Sequence, residues 1–275
     1  MTPAEIAAYW EANAETWTRL ARAGYDVYRD ELNTPAFLAL LPPIQDLAGL
    51  DVGCGEGSNT RLLAARGARM QGVDIAPTFI RHAQAQEALE PLNIRFRTGD
   101  AMALPYPAAS FDFVTAFMSL MDVADPAHAL REAARVIRPG GFVQFSILHP
   151  CFVPHYRKVV RDQSGSPIAL EIADYFATDT RIDVWHFSTL EREARGKIPP
   201  FRIPRRHYTL SEWIGFIRGA GLMIDAMAEP SATAEQAAEE PVVADTRVAP
   251  LFLQVRAHVP SAPERDGGAR PPGAL

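Results

Sequence analysis

The feature that most constrains the fold is a regular alternation of short apolar runs with helical patterns between residues 47 and 148. The runs are Leu47–Val52, Met70–Ile75, Ile94–Thr98, Phe111–Phe117 and Phe142–Leu148. Because each run is almost continuously apolar, it predicts a strand that is covered on both faces. Strands alternating with helices predict right-handed βαβ units in a doubly wound α/β sheet, which binds ligands beyond the carboxyl ends of its strands.

Helix start and stop signals lie between these runs. Ser58 is predicted to cap a helix that ends at Gly67, where a left-handed residue is needed. Pro126 is predicted to open a later helix. After that helix, Pro139-Gly140-Gly141 is expected to turn the chain sharply into the fifth strand.

The remaining segments flank this core, and together they predict a single domain over residues 1–259. Residues 1–46 carry apolar side chains at helical spacing and form a predicted N-terminal helical cap. Residues 149–207 lack a clear period and are interpreted as a lid insertion over the site. Residues 208–259 predict a helix and two strands, and residues 260–275 predict a disordered tail.

Charge and composition exclude several classes of function. The formal net charge of −6 disfavours nucleic acid as a partner. The only two cysteines, Cys54 and Cys151, form no CxxC pattern, which predicts neither disulfides nor a metal site. The acid at Glu5 and the absence of a long uncharged apolar run predict a cytoplasmic protein without signal peptide or membrane span. The oligomeric state cannot be derived from these features.

The loop after the first predicted strand carries the strongest ligand-binding signal. Gly53, Gly55 and Gly57 alternate, so the backbone there can approach a nucleotide-like ligand closely. The third glycine comes one residue earlier than in the dinucleotide fingerprint, and Ser58 stands where that fingerprint has glycine. Asp74, at the end of the second run, is placed to accept hydrogen bonds from both hydroxyls of a ribose.

Four motifs in this order resemble the class I S-adenosylmethionine-dependent methyltransferases, closest to the UbiE-like branch that acts on small molecules. They are Asp51-Val52-Gly53-Cys54-Gly55-Glu56-Gly57, Val73-Asp74-Ile75, Gly99-Asp100-Ala101 and Arg138-Pro139-Gly140-Gly141. The resemblance covers residues 47–148. It implies a Rossmann-like seven-stranded sheet whose last strand is antiparallel, and S-adenosyl-L-methionine as the cofactor.

The resemblance also implies roles for single residues. Those around the cofactor are Asp51 near its amino group, Gly53 and Gly55 along its methionine part, Asp74 on the ribose, Ile75 on the adenine face, and Asp100 and Ala101 at the adenine edge. Phe117 and Met118 end the fourth strand, beside the cofactor and facing the substrate. Cys54 lies within the cofactor loop and is interpreted as a packing residue, because no activating neighbour is present in the loop.

Candidates for proton transfer and for substrate contacts lie outside the core motifs. A base helps when the acceptor is a hydroxyl or a protonated amine, and histidine titrates in the right range. His149, just after the fifth strand, is the first candidate, and His207, before the next helix, is the second. The aromatic residues considered for a substrate pocket include Trp17, Tyr28, Phe152 and Tyr175, although such rings are also common in plain cores.

A basic cluster in the lid leaves two interpretations open. Arg202, Arg205 and Arg206, near Lys197, could form salt bridges or a solvated face, or they could receive an anionic group of the substrate.

The function predicted from these features is methyl transfer to an oxygen or nitrogen of a small-molecule metabolite. Two alternatives remain: a nicotinamide-dependent oxidoreductase on the same sheet, and a non-catalytic module that binds the cofactor and regulates a partner.

Overall fold

A seven-stranded sheet organises the part of the chain, residues 1–261, that the computed structural model describes. Its strands are β1 (Ala48–Val52), β2 (Arg69–Asp74), β3 (Arg95–Thr98), β4 (Phe111–Phe117), β5 (Ile137–Leu148), β10 (Met223–Ala228) and β11 (Phe252–His258). They lie in the order β10-β11-β5-β4-β1-β2-β3. The predicted disordered tail lies, from residue 262 onward, outside the described residues.

The topology confirms the predicted fold. β1 pairs in parallel with both β2 and β4, so the chain order reverses at β1 and leaves a crevice at the carboxyl ends of these strands. β11, the last strand along the chain, runs antiparallel to both of its neighbours, β5 and β10. The architecture is therefore Rossmann-like, with an antiparallel last strand.

Helices cover both faces of the sheet. They are α1 (Pro3–Arg22), α2 (Thr34–Leu40), α3 (Ser58–Ala64), α4 (Pro77–Leu89), α5 (Pro126–Val136), α6 (Arg192–Arg195), α7 (Leu210–Gly219) and α8 (Ala234–Glu239). A π-helix spans Tyr28–Asn33, and 3-10 helices span Leu120–Asp122 and Pro241–Arg247. None of the helices within residues 1–261 combines the length and the apolar character that crossing a bilayer requires.

Apolar packing on each face explains why the sheet forms. On one face, Phe145 and Leu130 belong to a buried cluster that joins the central strands to α5 and α7. On the other face, Phe37, Leu63 and Phe113 join the sheet to α2, α3 and α4. Burial of a large side chain of this kind stabilises the fold by about 1.5–3 kcal/mol, so the two clusters hold the layers together.

Two local predictions were wrong. Gly57, not Ser58, is the N-cap of α3, and Ser58 is its first helical residue, because Gly57 adopts a left-handed conformation with φ of 90° that a serine would not favour. The Pro139-Gly140-Gly141 turn does not separate helix from strand. β5 instead begins at Ile137 and bulges through these residues before it pairs again with β4 at Phe142.

The insertion after β5 folds into two antiparallel hairpins. The first consists of β6 (Tyr156–Arg161) and β7 (Pro167–Ala173), and the second of β8 (Thr180–Trp185) and β9 (Phe201–Arg206). The second hairpin packs on α1 through an aromatic cluster made of Trp17, Trp185, Phe187 and Phe201. The N-terminal helix and this insertion therefore meet above the carboxyl ends of the central strands.

Candidate functional site

A cavity of about 740 Å³ lies at the carboxyl ends of β1, β2 and β4, which is the crevice that the topology leaves. Its floor comes from the strand ends, and its walls come from α1, the π-helix and the second lid hairpin. A volume of this size lies within the range of about 300–1,000 Å³ that is typical of small-molecule sites.

The glycine loop after β1 forms one wall of this cavity. Gly53, Gly55 and Gly57 all have positive φ angles, of 67°, 55° and 90°. A Cβ atom at Gly55 would meet no atom within 4 Å, so the space that a side chain would occupy there is open to the cavity. The N–H groups of Gly53 and Cys54 both donate to the carbonyl of Val73 on β2, which anchors the loop to the neighbouring strand.

Asp74, the last residue of β2, connects the second strand to the same loop. One carboxylate oxygen accepts the N–H of Gly55 at 2.8 Å, and the other accepts the N–H of Ala76 at 2.9 Å. Burial raises the pKa of Asp74 to about 6, against the opposing effect of these backbone hydrogen bonds. Each carboxylate oxygen has further acceptor capacity, so Asp74 can also receive hydroxyl groups from a ligand in the cavity.

Asp51 and Cys54 also line the cavity, but their polar atoms are occupied or inert. The carboxylate of Asp51 accepts the hydroxyl of Thr60 at 2.5 Å and that of Thr115 at 2.9 Å. Burial raises the pKa of Asp51 to about 7. Burial also raises the pKa of the Cys54 thiol, which keeps it protonated and consistent with a packing residue.

The other residues that the resemblance places around the cofactor line the cavity as well: Ile75, Asp100, Ala101 and Phe117. Asp100 accepts the N–H of Met102 at 2.8 Å, and this bond closes the turn after β3. The Phe117 ring packs 3.8 Å from the ring of Phe37, which fixes the end of β4.

The cap and the end of β4 bring three of the candidate substrate residues to the cavity: Trp17, Tyr28 and Met118. Met118 has a φ of 52°, a conformation that few non-glycine residues adopt, and its N–H donates to the carbonyl of Ser146. The hydroxyl of Tyr28 lies 2.6 Å from the carbonyl of Val242 and 2.9 Å from a carboxylate oxygen of Asp245. The hydroxyl of Tyr28 therefore has its hydrogen-bond partners within the protein.

The structure does not bring His149, the first candidate base, to the cavity. His149 is buried, and its Nδ1 accepts the N–H of Cys151 at 3.1 Å. The proton of the ring is therefore on Nε2, which lies 2.7 Å from a carboxylate oxygen of Glu229. Because both ring nitrogens are occupied, we do not carry His149 forward as a base.

The second candidate base and two aromatic candidates lie outside the cavity lining as well: His207, Phe152 and Tyr175. Phe152 packs on the His149 ring at 4.7 Å, and the hydroxyl of Tyr175 accepts the N–H of Leu210 at 3.1 Å. Burial lowers the pKa of His207 to about 4, with nearby Arg205 acting in the same direction, so this imidazole is neutral at physiological pH.

Several polar residues of the cavity wall were not singled out as site residues from the sequence, among them Asp122, His155 and Asp183. Asp183 pairs with Arg205, whose guanidinium also donates to the carbonyls of Val153 and Pro154. For Arg205, the salt-bridge interpretation of the basic cluster is therefore the one that the structure supports. The Asp122 carboxyl, in contrast, has no hydrogen-bond partner among residues 1–261.

The wall as a whole fits an adenosyl ligand. Three features lie along one side of an otherwise largely apolar cavity. They are the open glycine loop after β1, the Asp74 carboxylate at the end of β2, and the turn after β3 that carries Asp100. Within residues 1–261, no group of three or more His, Cys, Asp and Glu side chains is close enough to hold a metal ion.

Comparisons with known proteins agree with this geometry. A family model described as a methyltransferase domain matches residues 50–145. The ubiquinone biosynthesis O-methyltransferase of Paracidovorax citrulli is 35% identical over 150 residues, which are 54% of this chain and 62% of that protein. The 27-O-demethylrifamycin SV methyltransferase of Amycolatopsis mediterranei is 42% identical over 95 residues, 34% of this chain and 35% of that protein.

The chain thus spans less than two thirds of the length of these curated relatives. A solved structure, an S-adenosylmethionine-dependent methyltransferase from Mesorhizobium loti, aligns over more of the chain. The alignment covers 82% of this chain and 96% of the Mesorhizobium loti chain, with 26% sequence identity and a TM-score of 0.67. The similarity therefore extends beyond the matched domain into the segments that flank it.

Proposed function

Because the chain belongs to the class I S-adenosylmethionine-dependent methyltransferases, we propose that it transfers the methyl group of S-adenosyl-L-methionine to a hydroxyl oxygen of a small molecule. The single observation that carries the proposal is the hydrogen bond from the N–H of Gly55 to the Asp74 carboxylate. This bond holds Asp74 and the glycine loop side by side in the same wall of the cavity. The choice of oxygen rests on the two curated relatives, whose names both describe O-methylation.

The residues of the chain would act mainly by binding and positioning. Asp74 would accept the ribose hydroxyls, the loop at Gly53 and Gly55 would lie along the methionine part, and Asp100 with Ala101 would contact the adenine. The bound cofactor supplies an electrophilic methyl group on a cationic sulfur. Holding donor and acceptor in line can supply on the order of 7–11 kcal/mol of the barrier reduction.

The apolar walls would exclude water and select the acceptor. Trp17 and Trp185, together with Met118 and Phe117, supply large apolar side chains to the cavity lining. A flat or apolar molecule fits such walls better than a highly charged one. We therefore treat residues 1–46 as a cap and residues 149–207 as a substrate lid of one domain.

Calorimetric titration with S-adenosylmethionine tests the proposal. We expect binding to the wild type and a loss of at least tenfold in affinity for Asp74→Ala, because this variant removes both the ribose acceptor and the anchor of Gly55. Asp225→Ala is the matched control, because Asp225 pairs with Arg256 on β11 and does not line the cavity. Equal binding by wild type and Asp74→Ala would reject the assignment.

The two alternatives are separated by further measurements on the same protein. A nicotinamide-dependent oxidoreductase would bind NADH in a fluorescence titration, and we expect no such binding because the loop lacks the third glycine of the dinucleotide fingerprint. A purely regulatory module would bind S-adenosylmethionine but would form no S-adenosylhomocysteine when a metabolite extract is added.

A further inference from the structure

Asp122 is a buried acid of the cavity wall that the binding scheme above does not use. It ends the 3-10 helix Leu120–Asp122, five residues after the last residue of β4, and is only 8% exposed. Its backbone N–H donates to the carbonyl of Ser119, but no group among residues 1–261 bonds to its carboxyl. Buried polar groups without partners are rare and costly, so this carboxyl is available for a ligand.

The carboxyl of Asp122 is also within reach of the cavity. The residue lines the cavity, and its oxygens are not among the unpartnered polar atoms of residues 1–261 that are wholly hidden from solvent. Nδ1 of His155, another base of the cavity wall, is wholly hidden and lacks a partner among these residues. Asp122 is therefore an accessible proton acceptor of the cavity wall.

We propose that Asp122 is a catalytic residue that accepts the proton of an acidic hydroxyl, such as a phenol, as its oxygen is methylated. This proposal rests on the proposed function. The hydroxyl oxygen would form a bond to the methyl carbon while the carbon–sulfur bond breaks, and the electron pair of that bond would remain on sulfur. The proton of the hydroxyl would pass to the Asp122 carboxylate, which leaves a neutral acid, a neutral thioether and a neutral methyl ether.

The electrostatic surroundings suit a proton acceptor. Burial raises the pKa of Asp122 to about 8, an effect that Arg205 on β9 opposes and Asp183 on β8 reinforces. A carboxyl with this pKa is close to the ordinary pKa of about 10 of a phenol, so the proton transfer costs little. An aliphatic alcohol is a far weaker acid, which is why the proposal specifies an acidic hydroxyl.

The surroundings disfavour His155 in the same role. Its Nε2 lies 3.1 Å from the carbonyl of Asp179 and must therefore carry the ring proton. Burial and the positive charge of Arg205 lower the pKa of His155. Protonation of its Nδ1 would place a second cation beside Arg205, whereas protonation of Asp122 removes a charge from a buried site.

The first test uses the protein without cofactor. Infrared difference spectra between pH 6 and pH 10 should show a carboxyl C=O band that disappears with a midpoint near pH 8, and Asp122→Asn should lack this band. Thermal unfolding should show that Asp122→Asn is folded, because asparagine replaces a neutral acid of the same shape. A carboxyl band with its midpoint near pH 8 that persists in Asp122→Asn would overturn the assignment of the titrating group, whereas the band of Asp51, with a midpoint near pH 7, should be present in both proteins.

The second test measures methyl transfer from S-adenosylmethionine to catechol across the same pH range. We expect the wild-type rate to rise with pH and level off once Asp122 is ionised, and Asp122→Asn to be about a hundredfold slower without that rise. His149→Gln is the control and should keep the wild-type profile. A wild-type rate and profile in Asp122→Asn, or a loss confined to His155→Gln, would overturn the proposal.

The outcomes also separate this proposal from the proposed function. A wild type that binds S-adenosylmethionine but methylates neither catechol nor other simple phenols would reject the acidic-hydroxyl acceptor and leave the cofactor assignment standing. A wild type that fails to bind S-adenosylmethionine would reject both.

Discussion

Gly53, the residue directly after β1, lies very close to Ser119, two residues after the end of β4. Its φ is 67°, and a Cβ atom placed on it would overlap Cβ of Ser119. Ser119 cannot move freely, because its hydroxyl donates to the carbonyl of Val52 at 2.6 Å. Gly53 is therefore required both for its backbone conformation and for the space that it leaves empty.

We expect Gly53→Ala to lower the stability of the protein and its affinity for S-adenosylmethionine together. The left-handed conformation alone costs about 1–2 kcal/mol for alanine, and the overlap with Ser119 adds to that by displacing the loop. Chemical denaturation and calorimetry measure the two effects.

Gly24→Ala is the matched control for this substitution. Gly24 follows α1 and has a φ of 80°, and a Cβ atom placed on it would meet nothing within 4 Å. Alanine at this position therefore introduces the backbone strain but no steric overlap. It should destabilise the fold modestly and leave cofactor affinity unchanged. If both variants lost affinity equally, crowding at Ser119 would not explain the requirement for Gly53.

At the scale of elements, a group of three side chains around the buried Asp245 ties the N-terminal segment, the insertion after β5 and the C-terminal segment together. We name Tyr28, Asp245 and Arg157 the strap. The hydroxyl of Tyr28 in the π-helix lies 2.9 Å from one carboxylate oxygen of Asp245, and Arg157 on β6 donates to the other at 2.8 Å. Asp245 is 4% exposed, so its charge depends on these partners.

We expect Arg157→Met to destabilise the protein more than Tyr28→Phe. Removing the arginine leaves a buried carboxylate without a counter-charge, which typically costs about 3–5 kcal/mol. Removing the tyrosine hydroxyl deletes one hydrogen bond to a charged group, which is worth about 1.5–3 kcal/mol. Urea unfolding measures both losses, and adding Asp245→Asn to Arg157→Met should recover part of the stability.

Arg161→Met is the control for the strap. Arg161 lies on the same strand, is exposed, and donates to the carbonyl of Gly165 within its own hairpin. Its replacement should change the free energy of unfolding by less than about 0.5 kcal/mol. Comparable losses for Arg157→Met and Arg161→Met would mean that the strap does not join the three segments.

The elements also show what the sequence could and could not reveal. The core strands were predictable because both of their faces are buried, which makes each of them an apolar run. β7 is largely exposed on both faces, so it carries no alternating pattern that would mark a strand.

His149 was correctly predicted at the end of β5, but its imidazole is held by Glu229, 80 residues further along the chain. No local pattern reports such a contact.

Asp122 illustrates the same limit at the site itself. In the sequence it is one acid in the loop between β4 and α5, and acids are common in loops. Its importance comes from the lid, because packing against β9 buries the 3-10 helix that carries it. The only local signal is a carboxylate between the apolar residues Met121 and Val123.

Across the whole molecule, the cavity collects buried acids that hold their protons up to a higher pH than acids in water do. Burial raises the pKa of Asp51 to about 7, of Asp74 to about 6 and of Asp122 to about 8, all from an ordinary value of 3.8. Between the ordinary value and these raised values, the folded protein holds protons that the unfolded chain has released. The stability that they contribute is therefore present at low pH and is lost as the pH rises through each folded-state value.

His207 acts in the opposite direction over a lower range. Its pKa is lowered from 6.5 to about 4, so below pH 6.5 the unfolded chain binds a proton that the folded protein does not. Its effect makes stability rise with pH between about 4 and 6.5 and then become constant. Above pH 6.5 the buried acids act without this compensation.

We therefore expect the free energy of unfolding of the cofactor-free protein to fall between pH 6.5 and pH 8. A single fully coupled group contributes a slope of about 1.4 kcal/mol per pH unit, and Asp122 should provide most of it because its pKa is the highest of the three. Urea unfolding at constant ionic strength measures the slope. Asp122→Asn should flatten it, while His207→Gln should alter the pH dependence of stability only below pH 6.5. A wild type whose stability is constant or increases from pH 6.5 to 8 would show that the folded protein does not keep Asp122 protonated near neutral pH, which would contradict the raised pKa that brings this carboxyl close to the pKa of a phenol.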